Sequence, residues 1–359
     1  MINIKNRRIV LIGGSGFIGH HLALELKRKG ANVQIIDSLQ VNNLLKFAVR
    51  TDDKNRDLYY HFINERLNLL HSANIPVHVQ DAREYHTLSG LLGNLSPQVI
   101  VHLAAVSHAG LSNKDPYSTF DHSVHTLENA LDFARARGSI EQFVYLSSSM
   151  VYGHFPQGHV TEETPCDPLG VYGALKYAGE KIVTAYSQVF DMPYTIVRPS
   201  ALYGERCVSR RVVQIFVENA ICGQEVVVHG DGSDRLDFTY IGDFVQGIVK
   251  FIENEKARDE VFNLTYGESR TIGELSEILK AEFPGLKVTF KPKDKLTPDR
   301  GTLSVAKARD LINYEPQFPI DKGLPRYIRW YRSLLEIPGN NHIRADLGAE
   351  DKQGAAVAS

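Results

Sequence analysis

An apolar run that breaks at glycines, close to the N-terminus, constrains the fold of this chain most strongly. Residues 9–12 are all aliphatic, and Gly13, Gly16 and Gly19 follow them before a stretch with helical apolar spacing. This order predicts a β-strand, a phosphate-binding loop and an α-helix. Gly13 and Gly16 allow the backbone to turn tightly beside a pyrophosphate, and Gly19 allows the helix to pack on the sheet. The chain is therefore predicted to begin with the first unit of a parallel α/β fold.

A second apolar segment, residues 32–37, ends in the acid Asp37. In a dinucleotide-binding fold, a carboxylate at this position accepts hydrogen bonds from the adenosine ribose. Because a carboxylate repels a 2′-phosphate, Asp37 favours NAD over NADP as the cofactor. The alternative is that Asp37 is a strand-end acid that caps the segment after it.

Tyr172 and Lys176 lie four residues apart in a segment with helical spacing, which places both side chains on one face of a helix. A neighbouring positive charge favours the phenolate form of a tyrosine, so the pair can act as a general base. The same spacing occurs by chance in many helices. The catalytic interpretation therefore depends on the glycine-rich motif and Asp37 in the same chain.

Six motifs in one order resemble the extended short-chain dehydrogenase/reductase family. Within it, the chain resembles the NAD-dependent nucleotide-sugar epimerases and dehydratases, in particular UDP-glucose 4-epimerase-like enzymes, from about Ile9 to Tyr331. The resemblance implies NAD as the cofactor and an α/β fold, a Rossmann-type doubly wound parallel sheet with a smaller C-terminal substrate domain. The motifs are the glycine loop, Asp37, residues 99–105, residues 144–153, the Tyr172/Lys176 pair and residues 198–204.

The resemblance also implies which residues form the active site. Lys176 assists the catalytic Tyr172 and holds the nicotinamide ribose. Alignment on the Val-Tyr-Gly triplet makes Ser148 the hydroxyl that bonds the substrate oxygen, with Ser147 and Ser149 as competing candidates. The implied cofactor-binding residues are Gly13, Gly16, Phe17, Ile18, Gly19, Asp37, Asp81, Ala82, Leu103, Ala104, Ala105, Tyr172 and Lys176.

The residues after Ser148 favour one reaction over another. Family dehydratases carry an Asp-Glu pair there, which protonates the leaving C6 oxygen and takes the C5 proton. This chain has Ser149 and Met150 instead, and neither side chain can do that proton chemistry. A 4-epimerase needs no such pair, because it oxidises C4, turns the 4-keto sugar over and reduces its other face. The sequence therefore predicts a nucleotide-sugar 4-epimerase.

Three alternatives stay open. A nucleotide-sugar 4-dehydrogenase uses the same residues and stops at the ketone. An atypical dehydratase replaces the missing acid and base by other groups. A non-catalytic NAD-binding sensor is disfavoured, because Ser148, Tyr172 and Lys176 are all present.

The substrate side departs from the family pattern at two positions. Ala201 stands where the family often has an asparagine, and Leu236 stands where it has a phosphate-binding arginine. Arg235 is one residue away, which on a strand turns its side chain to the opposite face. A guanidinium suits a diphosphate because its fork matches two oxygens at once, although an arginine at a helix end can also be a solvated charge. The predicted substrate-binding residues are His108, Ser149, Arg210, Arg211 and Arg300.

Composition agrees with an enzyme that works in the cytoplasm. The 359 residues carry a net charge of −2, so there is no overall attraction to nucleic acid or to a membrane surface. No apolar run reaches the roughly 20 residues that span a bilayer, and we expect no signal peptide. The three cysteines lack metal-ligand spacing and indicate reduced thiols, so we predict no metal site. The family resemblance implies a homodimer that pairs through helices flanking the catalytic tyrosine.

The predicted organisation has three parts. Residues 1–200 form the NAD-binding Rossmann domain, residues 201–337 form mainly the substrate-binding domain with crossovers, and residues 338–359 form a disordered tail. A helical insertion at about 41–74 interrupts the first domain, and covering the cofactor cleft and contacting a second subunit are both open roles for it. The predicted strands cover residues 8–12, 32–36, 75–79, 98–103, 142–147, 194–198 and 261–264.

Overall fold

The computed structural model of the protein describes residues 2–40, 44, 47, 55–106, 109–293, 298–337, 340, 343 and 347. Its strands are β1 (Arg8–Ile12), β2 (Asn32–Asp37), β3 (Val77–Val79), β4 (Val99–His102), β5 (Gln142–Leu146), β6 (His159–Val160), β7 (Tyr194–Arg198), β8 (Leu202–Tyr203), β9 (Val226–His229), β10 (Arg235–Leu236), β11 (Thr239–Tyr240), β12 (Glu260–Asn263), β13 (Arg270–Thr271), β14 (Val288–Lys291) and β15 (Thr302–Leu303). Its α-helices are α1 (Phe17–Arg28), α2 (Arg56–Ser72), α3 (Tyr85–Leu95), α4 (Ala109–Lys114), α5 (Pro116–Phe120), α6 (Thr126–Arg137), α7 (Gly170–Phe190), α8 (Val212–Ile221), α9 (Ile241–Ile252), α10 (Ile272–Glu282), α11 (Ala306–Ile312) and α12 (Ile320–Glu336).

Seven strands form one parallel sheet in the order β12-β7-β5-β4-β1-β2-β3. All seven predicted strands are present, and the prediction of a Rossmann-type doubly wound sheet is confirmed. The strand order reverses between β1 and β4, because the chain builds β2 and β3 on one side and then crosses to the other. In open parallel sheets, ligands bind at such a switch point, outside the carboxyl ends of the strands.

Alternate residues of the central strands enter two hydrophobic cores, one on each face of the sheet. In β1, Ile9 and Leu11 pack in one core, whereas Val10 and Ile12 pack in the other. Helix α1 contributes to the first core, and α3, α6 and α7 contribute to the second. Burial on both faces explains why the strands are nearly continuous aliphatic runs. The covered sheet is a rigid base for the loops that follow its strands.

His102, the last residue of β4, is buried and stacks on Phe143 with the ring centroids 6.3 Å apart. Burial lowers the pKa of His102 to about 3, well below the value of about 6.5 for an unfolded chain. As the pH falls through about 6.5, the unfolded chain binds a proton that the folded protein excludes, so stability is lost.

We expect His102→Leu to weaken this acid dependence. Between pH 7.5 and pH 5.0, the variant should lose about 2 kcal/mol less free energy of unfolding than the wild-type protein, because one proton fewer is taken up on unfolding. Urea unfolding at a series of pH values measures the difference. If the free energy of unfolding depends on pH in the same way in both proteins, His102 is not a neutral buried imidazole in the folded state.

In the described part of the second half of the chain, the strands form short pairs rather than a second large sheet. Four two-stranded pairs lie outside the central sheet, and they join β10 to β13, β11 to β8, β14 to β9 and β15 to β6. Two strand pairings cross the predicted domain boundary. Strand β12 returns to the central sheet beside β7, and β15 pairs with β6. The division at residue 200 itself stays a prediction.

Two predicted segments lie partly outside the described residues. The helical insertion contains α2, and of residues 41–54 only Leu44 and Phe47 are described. In the predicted tail, Asn340, Ile343 and Leu347 are buried, and the two aliphatic residues belong to the core. The chain therefore packs at these three positions, and for the other residues from 338 onward the tail stays a prediction.

Among the described residues, no helix has both the length and the apolar character needed to cross a membrane. In the same part of the chain, no group of three or more His, Cys, Asp or Glu side chains is placed to hold a metal ion. The three cysteines, Cys166, Cys207 and Cys222, are free thiols.

Candidate active site

The ends of β1 and β4 meet closely at the switch point of the sheet. Gly13 follows β1 with a φ of +80°, and a Cβ atom on it would lie 2.6 Å from the backbone nitrogen of Ala104. Any side chain here would clash and would demand a left-handed backbone, so the position requires glycine. Leu103 and Ala104 directly follow β4. The predicted cofactor residues of both strands therefore lie together.

The glycine loop leads directly into α1. Gly16 is the residue that precedes the helix, and Phe17, Ile18 and Gly19 form its first turn. The backbone N–H groups of a first turn have no partner inside the helix, and together with the helix dipole they attract an anion. The side chains of Phe17 and Ile18 pack against the core. The loop therefore has the form that a dinucleotide pyrophosphate needs.

Asp37 ends β2 beside this loop. Its two carboxylate oxygens accept backbone hydrogen bonds from Ser15 at 2.9 Å and from Leu39 at 2.8 Å. The residue is 7% exposed, and its burial raises the pKa of the carboxyl group. The two backbone bonds fix the carboxylate at the end of the strand, where it can accept hydrogen bonds from the hydroxyls of an adenosine ribose. Gly13, the α1 N-terminus and Asp37 together fit NAD.

Replacing Asp37 by Asn should weaken NAD binding about 10- to 100-fold, because a hydrogen bond to a charged acceptor contributes about 1.5–3 kcal/mol. NADP should lose less affinity or gain some, since the repulsion of its 2′-phosphate is removed. Isothermal titration calorimetry with both dinucleotides gives the ratio of the two affinities. A ratio equal to that of the wild-type protein would show that Asp37 does not bind the adenosine ribose.

Two further predicted cofactor residues lie on the loop after β3. Asp81 accepts hydrogen bonds from Arg83 at 2.6 Å and from Gln40 at 3.1 Å, and the bond from Arg83 lowers the pKa of this carboxyl group. The carbonyl of Ala82 accepts a 3.0 Å hydrogen bond from the Asn129 side chain. The bond from Asn129 ties this loop to α6.

Tyr172 and Lys176 lie in the first two turns of α7, a helix of 21 residues. Lys176 is 5% exposed, its Nζ donates a 2.7 Å hydrogen bond to the carbonyl of Leu146, and it lies 5.2 Å from the centre of the Tyr145 ring. Burial lowers the pKa of Lys176 to about 8, while the charge of Glu180 acts in the opposite direction. Lys176 is therefore a buried amine fixed at the carboxyl end of β5, with Tyr172 half-buried one turn before it.

Three serines follow β5, and their contacts differ. The Oγ of Ser147 donates a 2.5 Å hydrogen bond to Glu180, so this hydroxyl is already used. The Oγ of Ser148 accepts a 3.2 Å hydrogen bond from the amide of Met150, which leaves its hydrogen to donate to a substrate oxygen. Ser149 is buried. Of the three residues, Ser148 suits the predicted role best.

The start of the catalytic helix packs against this serine segment. A Cβ atom on Gly173 would lie 2.7 Å from the carbonyl oxygen of Met150, so the helix touches the segment next to Tyr172. The guanidinium of Arg300 donates to the Sδ of Met150 and interacts electrostatically with Tyr172. The structure therefore brings Tyr172, Met150 and Arg300 together, close to Ser148.

Arg300 and Arg211 place two positive charges next to this site. Burial and the charge of Arg211 lower the pKa of Arg300 to about 10. Arg211 is the N-cap residue of α8, and the dipole of that helix adds to the attraction for an anion. Two guanidinium groups and a helix N-terminus form a site that suits a diphosphate.

The other substrate candidates lie elsewhere or are not described. Arg210 lies beside the buried carboxylate of Glu218, on which its charge acts. Arg235, one residue from the position of the missing family arginine, donates to the hydroxyl and the carbonyl of Ser269 at 3.0 and 2.7 Å. His108 lies outside the described residues, so its contact with substrate stays a prediction.

Beside the catalytic helix lies a buried ion-pair network that was not predicted from the sequence. Arg198, at the end of β7, donates to both oxygens of Glu180 at 2.9 and 2.7 Å and to the hydroxyl of Tyr152 at 2.8 Å. Glu180 also accepts the bond from Ser147. In the sequence, the position of Glu180 one turn after Lys176, on the same helix face, was the feature that could have indicated this network. The network ties α7 to β5 and β7 and so fixes Lys176 against the serine segment.

Residues 9–265 of the chain match the NAD dependent epimerase/dehydratase family, and the chain belongs to this family. It is an NAD-dependent enzyme of the epimerase/dehydratase type, as the glycine loop, Asp37 and the Tyr172/Lys176 pair predict.

Relatives of similar length support this assignment. An uncharacterised UDP-glucose epimerase of Bacillus subtilis is 30% identical over 92% of this chain and 99% of its own. A putative UDP-glucose 4-epimerase of Methanocaldococcus jannaschii is 27% identical over 90% of this chain and 98% of its own. The crystal structure of a UDP-glucose 4-epimerase from Thermotoga maritima, with UDP-glucose, superimposes with a TM-score of 0.79 at 25% identity, over 91% of this chain and 99% of that one.

Proposed function

We propose that the protein is a nucleotide-sugar 4-epimerase that acts on UDP-sugars. The observation that carries the proposal is the site at the end of β5, where the start of α7, with Tyr172 and Lys176, packs against the segment of Ser148 and Met150. Met150 stands where a dehydratase has the residue that takes the C5 proton. Methionine cannot transfer a proton, and here its sulfur accepts a hydrogen bond from Arg300. The relatives named as UDP-glucose epimerases favour epimerisation over net oxidation.

Proton transfer at the sugar 4-hydroxyl is the task of Tyr172. In its phenolate form Tyr172 takes the proton from O4, while Ser148 donates a hydrogen bond to the same oxygen. Lys176 lies one turn after Tyr172 on the same helix, with its amine fixed by the carbonyl of Leu146. When bound, NAD supplies the oxidised nicotinamide that accepts the C4 hydrogen and later returns it. Tyr172 gives the proton back to O4 after the 4-keto sugar has turned over, so the sugar is inverted without net oxidation.

Arg211 and Arg300 hold the diphosphate during this rotation. Their charges act on the phosphate oxygens and not on the sugar ring, so the 4-keto sugar can turn over while its nucleotide stays bound. Ser149, His108 and Arg210 remain candidates for further substrate contacts.

Product analysis tests the proposed reaction. The purified protein is incubated with UDP-, GDP-, CDP- and dTDP-sugars, and the products are followed by mass and by proton NMR. Inversion at C4 of a UDP-sugar with unchanged mass supports the proposal. A loss of two hydrogens would show a 4-dehydrogenase, and a loss of water would show an atypical dehydratase. No change in any sugar, with NAD still bound, would leave only a binding protein.

We propose a homodimer that forms through exposed apolar residues on the catalytic helix α7 and on the neighbouring helix α5. Tyr117 and Phe120 on α5 are 84% and 53% exposed, and Val189 and Phe190 at the end of α7 are 69% and 44% exposed. Exposed apolar side chains on neighbouring helices are suited to pairing with a second copy. Light scattering should give a dimer mass for the wild type and a monomer mass for the double variant Tyr117→Lys/Val189→Glu.

We further propose a cytoplasmic location and a role in supplying nucleotide sugars for polysaccharide biosynthesis. The three free thiols support a reducing compartment. Cell fractionation with an antibody against the protein tests the location, and loss of a surface polysaccharide on deletion of the gene tests the role.

A further inference from the structure

Helix α2, the insertion helix, is built into the core instead of lying over it. Its buried residues Tyr59, Phe62, Arg66 and Leu70 follow each other at intervals of three or four, which places them on one helical face. Phe62 packs against Trp330 of α12 with the ring centroids 5.0 Å apart. The insertion helix is therefore an integral part of the fold, and its buried face carries polar as well as apolar side chains.

The N-terminal end of the insertion helix is anchored on α8. One carboxylate oxygen of Glu218 accepts hydrogen bonds from the side chain of Asn55 at 2.6 Å and from the hydroxyl of Tyr59 at 2.8 Å. The other oxygen accepts from Gln214 and from the hydroxyl of Tyr331, both at 2.8 Å. Four donors satisfy this buried carboxylate. The insertion helix is thereby fixed to the helix that begins at the proposed diphosphate site.

Two turns further along, the insertion helix holds Arg206, which lies between β8 and α8. The Nε of Arg66 donates to the carbonyl of Arg206 at 3.0 Å, and Glu65 accepts from the Arg206 guanidinium at 3.2 Å. Arg206 has a φ of +62°, a left-handed conformation that is unfavourable for residues other than glycine. The bond from Arg66 therefore stabilises the Arg206 backbone in a conformation that costs energy, and Glu65 fixes its side chain.

His20 connects Arg206 to the phosphate-binding loop. Its Nδ1 lies 2.9 Å from the carbonyl oxygen of Gly16, and its Nε2 lies 3.0 Å from the Nε of Arg206. A carbonyl only accepts and a guanidinium only donates, so the ring is neutral and carries its hydrogen on Nδ1. Burial lowers the pKa of His20 far below its usual value, in agreement with a neutral ring.

We infer that His20 and Arg206 are positioning residues for the phosphate-binding loop, and that the insertion helix holds NAD in place by holding Arg206. The hydrogen-bond chain runs from Glu65 through Arg206 and His20 to the carbonyl of Gly16. Gly16 precedes the helix turn whose N–H groups would bind the pyrophosphate of NAD, so the orientation of Gly16 would set the anion site. Slow release of NAD suits an enzyme that regenerates its cofactor in every turnover, so the inference deepens the proposed function.

Release of NAD in the absence of sugar tests the inference independently of the sugar chemistry. Protein loaded with radiolabelled NAD is chased with unlabelled NAD, and the bound label is followed by rapid gel filtration. His20→Ala and Arg206→Met should each release NAD at least about ten-fold faster than the wild type, which corresponds to the loss of roughly one hydrogen bond to the loop. The double variant should release NAD no more than about two-fold faster than the faster single variant, because both changes break the same chain.

His78→Ala is the control. His78 lies on β3, and its Nε2 lies 2.9 Å from the side-chain oxygen of Gln34, so it is outside the hydrogen-bond chain that runs from Glu65 to Gly16. It should release NAD within about two-fold of the wild type. Equal release rates for the two histidine variants would overturn the inference. If His20→Ala does not fold, Glu65→Gln decides, because it weakens the hold on Arg206 while keeping the side-chain size, and unchanged NAD release in that variant overturns the inference.

Discussion

Tyr172→Phe should lower the turnover of nucleotide sugar by about 1,000-fold or more, because general base catalysis contributes about 10²- to 10⁴-fold to such reactions. Phenylalanine keeps the ring and loses only the hydroxyl that exchanges a proton with O4. Lys176 keeps its 2.7 Å bond to the carbonyl of Leu146, so NAD should bind with unchanged affinity. Single-turnover assays with the NAD-loaded variant separate the chemical step from binding.

Tyr177→Phe is the matched control for this prediction. Tyr177 lies on the same helix and packs beside the small core that contains Val151 and Leu303, so its hydroxyl has no part in the proposed chemistry. Its removal should change turnover by less than about three-fold. A Tyr172→Phe variant that retains near-normal turnover would refute the assignment of Tyr172 as the base.

Glu180→Ala should lower the free energy of unfolding by about 3–5 kcal/mol, the cost of breaking one side of a buried ion pair. The guanidinium of Arg198 loses both carboxylate oxygens, at 2.9 and 2.7 Å, and Ser147 loses its acceptor. Both partners of the pair are buried, so water cannot replace the lost bonds without a rearrangement of the core. Urea unfolding of the NAD-free protein measures the loss.

Glu25→Ala gives the comparison for an exposed ion pair. Glu25 bonds Arg28 at 2.7 Å on the surface of α1, where the arginine side chain is 72% exposed. Exposed pairs contribute at most about 1 kcal/mol, so the two variants should differ by several-fold in their effect. Equal losses of stability would show that the Glu180–Arg198 pair is solvated in solution.

The central sheet follows from the sequence because its strands are buried on both faces. Residues such as Val10 and Leu11 must be apolar whichever core they enter. The strands therefore appear in the sequence as short aliphatic runs, and segments with helical apolar spacing lie between them. The glycine loop was predictable for a similar reason. Gly13 lies so close to Ala104 that no side chain fits, and a local constraint of this strength is visible in the sequence itself.

Long-range pairs of polar groups were not predictable in this way. The sequence shows that Met150 cannot transfer a proton, but it does not show that Arg300, which follows 150 residues later, bonds its sulfur. His20 directly follows the glycine loop in the sequence, yet its partner Arg206 is 186 residues away. No periodicity of the chain records such a pair, because it depends on how the loops of the two halves meet.

Retention of the C4 hydrogen tests the central claim most directly. UDP-glucose with deuterium at C4 is incubated with the NAD-loaded protein, and the product is analysed by mass spectrometry and NMR. The account predicts the 4-epimer with deuterium still at C4 and no change of mass, because the hydrogen that leaves one face of the sugar is returned to the other. A product that lacks deuterium at C4, or that has lost two hydrogens or a water, would contradict it.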